Sequence, residues 1–124
     1  MSTQYEIANE GVYSENFGDE SVVVNMKAGN YYSLTGMASY IWDSLSAHVS
    51  VEALENAIAK RYHAPTAKAD VRHFIKELVN EKLIHPTLNH SNADSDFSLA
   101  PAAYSVPLLR VFKDLQEYVI GSVS

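Results

Sequence analysis

Apolar positions change their period once along the chain. Between Val12 and Leu34 they come as short β-branched or aromatic runs divided by turn formers, whereas from Met37 to Val79 they recur at helical spacing. Val12, Tyr13 and Phe17 lead into Gly18-Asp19, three consecutive valines follow within Ser21 to Met26, and Lys27-Ala28-Gly29-Asn30 is a second turn before Tyr31 to Leu34. β-branched runs favour strands. Turns this short between strands require antiparallel neighbours, so a three-stranded meander is expected. Residues 1–11 carry only a Tyr5/Ile7 alternation, which suits a frayed strand or a disordered start.

The helical stretch divides into three. Thr35 is placed to cap a helix with Met37, Ala38, Ile41, Trp42 and Leu45 on one face, and Ser50 a second with Val51, Leu54, Ala57 and Ile58. Pro65 stops that helix; Thr66 then starts a third, in which Val71, Phe74, Ile75, Leu78 and Val79 share a face. Strands followed by helices predict an α+β domain over residues 1–84, with the helices covering one face of the sheet. Residues 85–103 are rich in turn formers and read as a flexible linker. The segment 104–124 then concentrates large side chains again. Its expected form is an extended Tyr104-to-Pro107 lead into an amphipathic helix through Leu108, Val111, Phe112, Leu115 and Val119, too short to be stable alone.

Composition narrows the function. With 124 residues and 47% hydrophobic content the chain suits one domain with a real core, and its net charge of −6 argues against duplex DNA as the main partner. There is no cysteine, and the five histidines lack the spacing of a helical metal pair, so neither metal nor cofactor is expected. No apolar run approaches the roughly 20 residues that span a bilayer, and the Met1 end lacks a secretory pattern; a cytoplasmic protein without a membrane partner is the expectation. Asp19 and Glu20 sit in a turn without a base or nucleophile nearby, and no phosphate loop, H-E-x-x-H or G-x-S-x-G occurs, so no catalytic residue is assigned.

The run from Gly18 to Leu45 resembles the pyrroloquinoline quinone biosynthesis protein D family, also called RiPP recognition elements. Its marks are Gly29, Tyr31-Tyr32-x-Leu34, and Ile41-Trp42 followed by Leu45; V-S-V-E-A-L (Val49 to Leu54) and D-V-R-x-F-I-x-E-L (Asp70 to Leu78) continue it, over roughly Val12 to Ile84. The resemblance implies a small, winged-helix-like, non-catalytic domain that binds the leader of a ribosomally made precursor peptide and presents it to a separate modifying enzyme. The leader would add as a strand beside the third strand, with the third helix as the other wall of the groove. Carried onto this chain, the edge is Tyr31, Tyr32, Ser33 and Leu34, and the wall is Lys68, Val71, Arg72, Ile75, Lys76 and Val79. In addition, Tyr104-x-x-Pro107-x-Leu109 resembles the Tyr-x-x-Pro-x-Leu motif of lasso-peptide leaders, although Lys113 stands where that pattern has glycine.

Each of these positions also has a plainer reading. Strand alternation turns at least one of Tyr31 and Tyr32 inward; Val71, Phe74, Ile75 and Leu78 suit a core, as Trp42 does; and Lys68, Arg72 and Lys76 suit a solvated face paired with nearby acids as well as an attraction for an acidic leader. A linker over 85–103 has an r.m.s. span of roughly 25 Å, enough for the tail to reach its own groove or that of a neighbour, so a monomer and a tail-swapped homodimer are both open. The main alternative is a winged-helix DNA-binding regulator. It requires a basic recognition helix, whereas Lys68, Arg72, Lys76 and Lys82 are balanced by Asp70, Glu77 and Glu81. An enzyme subunit with a hidden site is a second alternative, for which the sequence offers no converging polar set.

Overall fold

Alternating burial marks the central strand pair. In the computed structural model, which describes residues 4–8, 10–87 and 100–113, Ser21, Val23 and Asn25 face inward while Val22 and Val24 stay half-buried. The strands read from the sequence are β2 (Val12–Asn16), β3 (Glu20–Asn25) and β4 (Asn30–Thr35), joined as an antiparallel meander with Val23 opposite Tyr32 and Val24 opposite Tyr31. Their turns are closed locally: the Phe17 amide donates to the Glu20 carbonyl at 2.7 Å, and the Asn25 side-chain oxygen accepts from the Lys27 and Ala28 amides. A further strand, β1 (Tyr5–Ile7), gives the amino-terminal alternation a partner in β5 (Ile84–Pro86). His85 and Pro86, placed in the linker from the sequence, therefore belong to a two-stranded sheet.

Three helices follow β4: α1 (Met37–Ser46), α2 (Val51–Tyr62) and α3 (Ala67–Asn80). Gly36, not Thr35, stands at the start of α1, with φ 56°, ψ −123°, a conformation that carries little penalty only without a Cβ. Ser50 caps α2 as expected, its side chain accepting from the Ala53 amide at 3.2 Å. Thr66 does start α3, but its hydroxyl donates to Asp70 Oδ2 at 2.8 Å instead of capping the backbone. The faces turned inward by Met37, Ile41, Trp42 and Leu45, by Leu54 and Ile58, and by Val71, Phe74 and Leu78 close one core with Val23, Tyr32 and Leu34 of the sheet. A hydroxyl pair, Ser21 and Ser39 at 2.7 Å, ties β3 to α1 inside it.

The sheet has four strands, not three. Arg110–Lys113 forms β6, antiparallel to β4, giving the order β2-β3-β4-β6. The amphipathic helix expected through Leu108, Val111 and Phe112 is thus replaced, at 110–113, by strand; Leu115 and Val119 lie outside the described residues, as do 88–99 of the linker. The physical reason is competition for backbone partners. A short isolated helix gains little in water, whereas the β4 edge offers a row of amides and carbonyls already fixed in place.

Candidate functional site

The candidate site joins the edge of β4 that β6 pairs with to residues of α3 that the same carboxy-terminal segment touches. Side chains on β4 alternate: Tyr32 and Leu34 are fully buried, while Tyr31 and Ser33 are half-buried on the outer face. Tyr32 and Leu34 therefore offer a visitor only backbone, their side chains being committed to the core. The Tyr32 hydroxyl donates to Glu81 Oε1 at 2.9 Å at the far end of α3, and burial first, then that carboxylate, push the phenol above its ordinary range. Ser33 Oγ donates to Glu20 Oε2 at 3.0 Å.

On α3, Val71 and Ile75 are buried, Val79 is half-buried, and Lys68, Arg72 and Lys76 are exposed. The three cations are not equivalent. Arg72 Nε donates to both carboxylate oxygens of Glu55, at 2.8 and 2.9 Å, and Glu55 is itself buried on α2. The Arg72 guanidinium thus compensates a buried charge between two helices. The basic stripe read from spacing reduces to Lys68 and Lys76 flanking an arginine already engaged.

Residues 100–113 touch α2 and α3 and then reach the β4 edge. The Tyr62 hydroxyl at the end of α2 donates to the Pro101 carbonyl at 2.6 Å, and the Tyr62 and Tyr104 rings meet at 6.1 Å with a 48° tilt. Tyr104 donates to Asp70 Oδ2 at 2.7 Å, the same oxygen that takes the Thr66 hydroxyl. Pro107 is buried and Leu109 packs half-buried against the core, while Ser105, Val106, Leu108 and Arg110 between and beyond them are exposed. Of the three residues singled out by the motif, one is buried and two are half-buried; the neighbouring apolar Val106 and Leu108 remain 53% and 59% exposed. Downstream the chain runs back along β4, pairing Arg110 with Ser33, Val111 with Tyr32, Phe112 with Tyr31 and Lys113 with Asn30.

Sequence reasoning missed Tyr62 and Asp70 as contacts of this segment and Phe112 as a strand residue stacked on Tyr31. Asp70 in the first turn of a helix reads as a dipole partner, and nothing in its neighbourhood announces a phenol from position 104. Burial, then the Asp70 hydrogen bond and charge, raise the Tyr104 phenol above its ordinary range. A raised phenol contributes docking free energy that is complete below its free value of about 10 and is lost as pH climbs through the docked value. Replacing Tyr104 by Phe keeps the ring and removes the donor. At this half-exposed site the loss should be about 1 kcal/mol, seen as a roughly fivefold fall in amide-exchange protection over 110–113 at neutral pH. Unchanged protection would mean that the hydrogen bond does not hold the segment.

With this geometry in hand, comparison with known families is decisive. The family model described as coenzyme PQQ synthesis protein D (PqqD) matches residues 20–84, just over half of the chain. The chain belongs to the PqqD family. The matched span runs from β3 to the first residue of β5, so β4 and α3 lie inside the PqqD region and β6 lies outside it. A solved structure described as TbiB1 in complex with the TbiA(beta) leader peptide is similar at 29% identity and a TM-score of 0.60, over 68% of this chain and 99% of that one. No curated protein sequence gives a match. Among the described residues of this PqqD-family chain, no helix is long and apolar enough to cross a membrane.

Proposed function

We propose that this chain is a non-catalytic RiPP recognition element. It captures the leader of a ribosomally synthesised precursor peptide as an added strand on β4, with α3 as the opposite wall, and presents it to a separate modifying enzyme. Its own residues 104–113 act as a placeholder that the leader displaces. The observation that carries this reading is the antiparallel pairing of Arg110–Lys113 with the β4 edge. Backbone pairing gives affinity without regard to sequence, and inward pockets for Tyr104, Pro107 and Leu109 add selection. Similarity to a structure described as a leader-peptide complex supports the same partner class.

The test is direct titration. A labelled peptide with the sequence of residues 104–113 is expected to bind saturably to the full chain carrying Tyr104→Ala, whose own segment is weakened, with a scrambled peptide and a duplex DNA at least tenfold weaker. Equal binding of the scrambled peptide, or tighter binding of the duplex, would remove the proposal in favour of non-specific association or of a DNA-binding regulator.

A further inference from the structure

Outward-facing residues line up across all four strands of the larger sheet. Tyr13 stands opposite Val24, Val24 opposite Tyr31, and Tyr31 opposite Phe112. Partners across an antiparallel ladder share a face, so these four form one apolar row. Its last step is the best defined: the Tyr31 and Phe112 rings stack with centroids 4.8 Å apart and planes 11° from parallel.

Phe112 is not one of the motif residues. It is the third residue after Leu109, on the opposite side of the strand from Val111, which faces Tyr32. Tyr31 gives this position a flat partner, backed within the row by Val24 and Tyr13. A leucine of similar bulk would still cover the row but could not stack.

We propose that Tyr31 is a specificity-determining residue, which selects an aromatic side chain at the third position beyond the leucine of the captured peptide. The inference rests on the reading of the groove as a leader site and extends the recognised pattern past its three inward residues. Stacked pairs favour the aromatic by about 2- to 10-fold over what burial alone gives.

The experiment uses the full chain carrying Tyr104→Ala, which weakens the chain's own segment without removing it. Synthetic peptides with the sequence of residues 104–113 carry Phe or Leu at the position equivalent to 112, and their affinities are compared by fluorescence anisotropy. The Phe peptide is expected to bind about 2- to 10-fold tighter. Adding Tyr31→Leu to the chain should bring the ratio close to one, and Tyr31→Phe should restore it, with circular dichroism confirming the fold of each variant. A third peptide, with Tyr104 replaced by Phe, should lose the same factor in every chain, since its contact is with Asp70 on α3. If the Phe and Leu peptides bind alike to the Tyr31 chain, or if the preference survives Tyr31→Leu, Tyr31 does not set this specificity while leader capture stands. If no peptide binds any variant, the leader reading falls as well.

Discussion

Replacing Tyr104, Pro107 and Leu109 together by alanine in the full chain is expected to tighten binding of a free motif-bearing peptide by about 10²- to 10³-fold. The argument is one of local concentration. A segment tethered within the same chain sees a site on that chain at on the order of 1 mM. If its own affinity is on the order of 1 μM, a free peptide must compete against roughly a thousandfold excess. The three residues are those whose side chains turn inward: Pro107 buried, Tyr104 bonded to Asp70, Leu109 packed on the core. Their loss frees the groove while leaving both of its walls untouched. Anisotropy titration of the triple variant against the unaltered chain decides the matter, and equal affinities would show that the tail does not guard the site. For a tail held by its own chain, the ratio should also be independent of protein concentration, whereas tails exchanged between two copies would make it rise as the protein is concentrated.

The second large effect concerns the core beneath the site. Trp42→Ala should cost about 3–5 kcal/mol, because a side chain only 2% exposed leaves a cavity that its neighbours fill incompletely. A domain of this size has about 5–15 kcal/mol in total, so the loss should lower the thermal midpoint by roughly 10–20 °C. Trp42 lies on α1, the helix that packs against the inner side of β4 and shares its core with Tyr32 and Leu34. Differential scanning calorimetry measures the shift; a fall of less than about 5 °C would mean that the pocket around the indole collapses freely.

What the sequence disclosed and what it hid divide along the range of the interactions. Ser50 announced α2 because capping is local, and the three valines announced β3 because backbone preference is local as well. Gly36 displaced Thr35 at α1 because the chain must change direction between β4 and the helix, and a positive φ there outweighs a favourable cap residue. β1 and β5 lie at opposite ends of the domain, and neither three-residue strand has a signal of its own. β6 was obscured more deeply. Leu108, Val111, Phe112 and Leu115 satisfy a helical period, and only the presence of a waiting edge makes extension the better state for 110–113. The site followed the same division. The resemblance pointed to β4 and α3 and to three residues of the tail, but the acid that Arg72 pairs with was not legible until the fold brought Glu55 to it across the helix pair. Asp70 had no visible partner until position 104 was brought to it.

The added strand also changes what the molecule shows to its own kind. With β6 seated, the outer strand on that side among the described residues begins at Arg110 and ends at Lys113, and positive charges at such a border discourage other chains from stacking onto it. Vacating the place uncovers β4, whose apolar tyrosine-rich stretch has no such protection. If a leader displaces this strand as proposed, the interval between the two occupants would be the one in which the chain is most prone to polymerise.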